Sequence, residues 1–134
     1  MPTTPAGHRT SLLAAGFLGL TGVGLGALGA HALKVPLTEA GMLQAWDTAS
    51  RYHLFHALAV FALAAWLRAG PKEGDGRMFW ALRCWCSGTA LFSGSLYWLA
   101  LGGPRWLGPV TPLGGVLLMS GWLLVGWVAL RPRN

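Results

Sequence analysis

The residues of this chain that could do chemistry are few. His53-Leu54-Phe55-His56 sets two imidazoles three residues apart, which on a helix puts both on one face. A third imidazole, His31, lies upstream. Imidazole nitrogens suit Zn, Cu, Fe or Ni, and Asp47 or Glu39 would add a carboxylate to the shell. Haem held between His31 and His56 is the redox variant of the same idea. The plainer use of such histidines is to hydrogen-bond a neighbouring helix. Ser93 or Ser95 can be written with His56 and Asp47 as nucleophile, base and orienting acid, but no nucleophile-elbow sequence surrounds either serine. Cys84 and Cys86 stand two apart, so on a helix they point about 200° away from one another. One such pair lacks the four ligands of a structural zinc site and reads as two small packing thiols.

The elements that must position these residues are hydrophobic. Residues 12 to 33 contain no Asp, Glu, Lys or Arg, and three further apolar stretches run between Arg51 and Arg68, Arg83 and Arg105, and Arg105 and Arg131. A bilayer core about 30 Å thick takes roughly 20 apolar helical residues to cross. Only 10% of the residues are charged and 54% are hydrophobic, against about 25% charged in soluble domains, and the mean hydropathy is +0.50. The chain is therefore read as all-α: a single membrane domain over residues 1–134, a bundle of four transmembrane helices joined by short loops. The spans are placed at about residues 11–33, 46–67, 78–101 and 110–130. The first stretch is preceded by Arg9, and Ala30-His31-Ala32 loosely matches a cleavage site. Signal h-regions are only about 7–15 residues long, so it is taken as a retained span.

Net charge is +6, yet the cations stand singly at segment ends, where Lys and Arg meet headgroups. That excludes nucleic acid as a partner, for which a basic patch or stripe is required. With both termini inside, Arg9, Arg68, Lys72, Arg77, Arg83, Arg131 and Arg133 are cytoplasmic and Lys34, Arg51 and Arg105 are outside. The positive-inside rule favours that arrangement. The chain is thus expected in the inner (plasma) membrane, multi-pass, with both termini cytoplasmic.

In span one, Gly19, Gly22, Gly26 and Gly29 recur at spacings of three, four and three along one helix face. Small residues let membrane helices approach closely, so span one is expected at the centre of the bundle. Gly114 and Gly115 are expected to serve the same packing role. Pro36 is expected to break the chain after span one, with a short interfacial helix from Thr38 toward Trp46. Asp47 and Arg51 have the i,i+4 spacing of an ion pair. The eight tryptophans, among them Trp46, Trp80, Trp106 and Trp127 near span ends, are read as an interfacial aromatic belt. Residues 69 to 77 are read as the one clearly aqueous loop.

Four alternating spans bring the end of the first, the start of the second, the end of the third and the start of the fourth to one side. His31, Asp47, Tyr52, His53, His56, Ser93, Ser95, Tyr97 and Thr111 all fall there. Intramembrane polar residues usually face the bundle interior and are candidates for function. The opposite half is nearly all Leu, Ala, Val, Trp and Gly.

Gly26-Ala27-Leu28-Gly29-Ala30-His31, Trp46-Asp47-Thr48-Ala49 and Tyr52-His53-Leu54-Phe55-His56-Ala57-Leu58-Ala59 also form a recognisable order. Phe92-Ser93-Gly94-Ser95-Leu96-Tyr97, Thr111-Pro112-Leu113-Gly114-Gly115 and Gly121-Trp122 continue it. Together they resemble the domain-of-unknown-function 423 family, small inner-membrane proteins of the YgdD type, with an animal transmembrane protein of similar size. The resemblance implies four helical spans with His31 and His56 at motif positions, and it carries no settled activity.

The leading functional expectation is non-enzymatic, with no cofactor: an accessory, assembly or small-ligand or lipid-binding component with a polar layer near its outer face. Its partners are the lipid bilayer and, beyond that, other membrane proteins or further copies of itself. The alternatives are a metal- or haem-handling protein built on His31, His53 and His56, and a small permease.

Overall fold

The computed structural model describes residues 6–69 and 76–130. The expected aqueous loop thus lies mostly outside the described residues, as do both tails. Four long helices carry the fold: α1 (Ala6–Ala30), α3 (Leu43–Ala69), α4 (Gly76–Ala100) and α5 (Val110–Ala129). A short helix, α2 (Lys34–Glu39), links the first two, and a single 3-10 turn, Arg105–Leu107, precedes the last. No strand occurs among the described residues.

Local chemistry sets these boundaries. α1 holds its glycines without breaking, because a helix in hydrocarbon has nowhere but itself to satisfy its backbone. Pro36 does not act as a breaker. It sits in the first turn of α2, where its missing N–H is one that the helix leaves unpaired anyway. The stop comes five residues later at Gly41, whose φ of +68° is strained for a residue with a side chain. Gly41 N–H bonds back to the Thr38 carbonyl at 3.0 Å, and α3 begins at Leu43 rather than at Trp46. The expected helix from Thr38 toward Trp46 is therefore replaced by one that ends at Glu39. α4 stops similarly at Gly102, with φ +85°, and the Gly103 N–H bonds the Trp98 carbonyl at 2.9 Å, a C-terminal cap of the glycine type.

Packing follows chain order: α1 lies against α3, α3 against α4, and α4 against α5, with no comparable contact between α1 and α5. The registers are antiparallel. Trp46 meets Leu25 and His53 meets Thr21 across the first interface. Ser93 meets Ala49 across the second, and Ser95 meets Thr111 across the third. Span one is thus a peripheral helix, which corrects the expectation that it stands at the centre. The inner pair is α3 and α4, each burying ten residues.

The glycines explain the reversal. Of the described α1 glycines, Gly16 to Gly29, only Gly22 and Gly29 face a neighbour: a Cβ on Gly22 would sit 2.9 Å from Leu54 Cδ2, and one on Gly29 would overlap the Trp46 indole. Gly19 and Gly26 face open space. The tight seam lies instead between α4 and α5. A Cβ on Gly114 would collide with the Phe92 backbone, its Cα only 2.8 Å away. One on Gly88 would lie 2.9 Å from the Leu118 backbone nitrogen, and one on Gly121 would meet the Trp85 indole. Gly115 makes only ordinary contact with the Phe92 ring, at 3.7 Å.

Three described helical stretches are long and apolar enough to cross a membrane: Arg9–Ala30, Leu43–Ala69 and Arg105–Ala129. α4 is not among them. It has the length, at 25 residues, but it carries Arg77, Arg83, Ser87, Thr89, Ser93 and Ser95. Its place between α3 and α5 gives the physical reason: a helix wrapped by protein is not required to be apolar all round.

Candidate functional site

The inward face of α3 carries Trp46, Ala49, Ser50, His53, His56, Ala57 and Val60, all buried, at the three-and-four spacing of a helix stripe. The α4 face opposite carries Trp85, Thr89, Ser93 and Tyr97. Several of the polar groups on these faces end on a neighbouring helix. The Ser93 hydroxyl donates to the Ala49 carbonyl at 2.8 Å. The Trp46 indole N–H donates to the Leu25 carbonyl at 2.9 Å, and its ring meets Tyr97 edge-on at 4.7 Å. Trp46 is therefore a buried clamp between α1 and α3, only 3% exposed, and leaves the aromatic belt. Trp80, Trp106 and Trp127 are exposed.

His53 and His56 do not converge. They flank the line where α4 packs and reach in opposite directions. His53 Nε2 lies 3.2 Å from the Thr21 hydroxyl on α1, and its Nδ1 lies 3.4 Å from the Tyr97 hydroxyl. Tyr97 in turn donates to Ser50 Oγ at 3.3 Å. Thr21 also has the Phe17 carbonyl at 2.8 Å. The Leu18 carbonyl is within reach of that hydroxyl too, at 3.3 Å, so two backbone carbonyls compete with His53 Nε2 for its one proton. With the Tyr97 proton given to Ser50, the Nδ1 contact is an imidazole N–H donating to the Tyr97 oxygen.

His56 is fixed. Its Nδ1 lies 2.8 Å from the Tyr52 carbonyl, which can only accept, so Nδ1 carries the proton. Nε2 then accepts the indole N–H of Trp122 from α5 at 3.2 Å. Both nitrogens are spoken for, and no lone pair is left to meet a metal. His31 is exposed in the turn after α1. Among the described residues no group of three or more His, Cys, Asp or Glu is arranged to hold a metal ion. The three-histidine centre requires a convergence that the helices do not make.

The remaining candidates divide by depth. Ser95 donates to the Phe92 carbonyl at 3.0 Å and pairs with the Thr111 hydroxyl at 2.6 Å, joining α4 to α5. Tyr52 is half exposed, its ring 4.7 Å from that of Phe92. Asp47 and Arg51 form their ion pair at 2.6 Å on the surface. Neither Ser93 nor Ser95 is bonded to His56, so the nucleophile–base pair of an acyl-transfer site does not form.

Sequence reasoning passed over Thr21, Ser50 and Trp122. Thr21 had a signal, being the one hydroxyl inside an otherwise apolar run. Trp122 had none, since its indole N–H matters only through the approach of α5 to α3. Trp85 Nε1 and Thr89 Oγ1 are buried without a hydrogen-bond partner among the described residues.

One cleft opens beside this network, between the end of α1, α2 and the first turns of α3. Its volume is about 440 Å³, within the ordinary range for small-ligand sites. Gly26, Gly29 and Ala30 form one wall, Trp46 and Leu43 another, and Lys34, Gln44, Asp47 and Ser50 supply the polar groups.

Long apolar helices stitched by short interhelical hydrogen bonds define a helical membrane protein. Residues 25–115 match the family model described as protein of unknown function (DUF423), and the chain belongs to that family. It is 39% identical over 130 residues to the UPF0382 inner membrane protein YgdD of Escherichia coli, covering 94% of this chain and 95% of that one. It is 39% identical to the UPF0382 membrane protein YwdK of Bacillus subtilis, over 84% of this chain and 89% of the relative. A UPF0382 membrane protein of Schizosaccharomyces pombe is 38% identical, over 81% and 91% respectively. No solved structure matches.

Proposed function

We propose that this chain is a non-enzymatic inner-membrane protein that binds a small amphipathic ligand in the cleft between α1, α2 and α3. The observation that carries this reading is the cleft itself: polar groups at its mouth from Lys34, Gln44 and Asp47, over a floor of glycine, alanine and indole. Apart from Trp85 Nε1 and Thr89 Oγ1, the polar residues deeper in the protein are committed to neighbouring groups. Helix-to-helix bonds are their work, and the cleft is where polar side chains remain open to a visitor.

In the same reading α4 also crosses the membrane, as the third of four spans, its polar residues shielded by α3 and α5, and both termini are cytoplasmic. The cation distribution along the sequence supports that orientation. It puts the cleft at the outer interface, where a ligand with one polar end and one apolar end would lie.

The test is retention of lipid-like ligands through purification in detergent, read by native mass spectrometry. Gly26 has open space around its Cβ position, so Gly26→Leu fills the cleft without disturbing a helix contact. The variant should lose the retained amphiphile. Gly126→Leu, at another open position on α5, should keep it. Equal retention in both would remove the cleft as the binding site.

A further inference from the structure

We infer that the ligand of this cleft is an anionic lipid headgroup, a phosphate diester seated against Lys34 with its acyl chains running along α1 and α3. The inference rests on the cleft reading above and adds the sign of the charge and the identity of the anchor. Two charged side chains line the cleft, Lys34 and Asp47, and Asp47 is already neutralised by Arg51, one turn on along α3, at 2.6 Å. Lys34 has no ion pair among the described residues and lines the cleft. The local balance is thus one uncompensated positive charge.

The other donors agree with that sign. The N–H groups of Leu43 and Gln44, in the first turn of α3, have no hydrogen-bond partner among the described residues. That turn contains no acidic residue. Free N–H groups at a helix start favour a negative group. Ser50, only 7% exposed, accepts from Tyr97 and so has its own O–H to give into the cleft that it lines. A phosphate diester brings acceptors alone, which is what a lysine, two backbone N–H groups and a hydroxyl ask for.

The apolar half of the site fixes the source as lipid. The cleft wall of Gly26, Gly29 and Ala30 has no side chain longer than a methyl; the Trp46 indole covers Gly29, and Gly26 has open space beside it that leaves room for hydrocarbon against the helix backbone. Below it, α1 and α3 frame an apolar groove of about 410 Å³ along Gly19, Val23, Leu54 and Leu58. A headgroup at Lys34 would leave its chains above that groove. A free phosphate would use only the upper half of the site.

The experiment compares phosphatidylglycerol, diacylglycerol and water-soluble glycerol phosphate on detergent-purified full-length protein. Lys34→Gln should weaken phosphatidylglycerol retention about tenfold, the effect of one charge-assisted hydrogen bond. Arg105→Gln, a cation at the same end of the helices, should leave it unchanged. Diacylglycerol should bind weakly and without regard to residue 34, and glycerol phosphate should fail to displace the lipid. Equal losses in Lys34→Gln and Arg105→Gln, or none in either, would overturn the assignment to Lys34. Displacement by glycerol phosphate would overturn the lipid as the source. If Gly26→Leu abolishes lipid retention while Lys34→Gln does not, the anion is wrong and the cleft stands. If Gly26→Leu changes nothing, both readings fall together.

Discussion

Trp122 reaches over α4 to give its indole N–H to Nε2 of His56, 3.2 Å away. The bond joins α5 to α3, two helices that otherwise make no substantial contact, and it fixes the imidazole as the Nδ1–H tautomer. Trp85 of α4 lies beneath, its ring 4.6 Å from that of Trp122. A double-mutant cycle on His56→Leu and Trp122→Phe isolates the bond. Interhelical hydrogen bonds in membranes average about 0.6 kcal/mol and reach about 1.7, so a coupling in that range is expected in reversible unfolding. Additive effects would mean that the two side chains act independently.

His56 also separates hydrogen bonding from metal ligation. His56→Gln retains an acceptor for the indole N–H, whereas His56→Leu leaves that donor unmet at a cost of about 1–3 kcal/mol. The expected order of thermal stability is wild type, then Gln, then Leu. Stoichiometric zinc or copper in the purified wild type, lost in the Gln variant, would contradict the geometry of this residue.

Glycine substitutions should sort by interface rather than by helix. Gly114→Ala presses a methyl into the Phe92 backbone, which cannot turn aside as a side chain would, and overpacking of this kind costs about 1–3 kcal/mol. Gly19→Ala and Gly26→Ala add a methyl in open space and should be neutral, or stabilising by up to about 1 kcal/mol from helix propensity. Melting temperatures of the three variants decide the matter. A destabilised Gly26→Ala beside a normal Gly114→Ala would move the seam to α1.

Trp46→Phe should destabilise while Trp106→Phe should not. Trp46 loses its hydrogen bond to Leu25, worth about 0.5–1.5 kcal/mol, together with part of its packing on Gly29. Trp106 is 69% exposed. Protease resistance of α1 in the two purified variants reads the difference directly.

Topology is checked by labelling. In a background with Cys84 and Cys86 replaced by alanine, Trp106→Cys should react with an impermeant thiol reagent added outside the cell, and tags at either terminus should report cytoplasm. Labelling of residue 106 only after lysis, with termini exposed outside, would reverse the orientation and carry the cleft to the inner leaflet.

The helical class and the four long helices were legible because unbroken apolar runs admit little else. The Asp47–Arg51 pair was legible from spacing alone. The centre of the packing was not. Gly19, Gly22, Gly26 and Gly29 share a face by count, yet the line of Gly19 and Gly26 stands about 60° round the helix from that of Gly22 and Gly29, and α3 meets only the second line, a choice that no spacing rule reports. His53 and His56 share a face within about 60°, and α4 settles into that narrow angle and divides them. Trp46 resembled an interfacial anchor because of its place at a span end, and the slot above Gly29 drew it inward. Pro36 resembled a breaker because the start of α2 had no strong marker before it.

The order of packing governs how the chain can assemble. Each long helix after the first packs on the one synthesised just before it, so α3 can dock as it leaves the ribosome without waiting for α4 or α5. A closed ring of helices would hold its first member unpaired until the last arrived. Here the bond from Trp122 back to His56 skips a helix, forms last and fastens a structure already assembled pair by pair. Truncation after α4 should therefore leave α1, α3 and α4 packed as they are in the full chain, with His56 waiting for its donor.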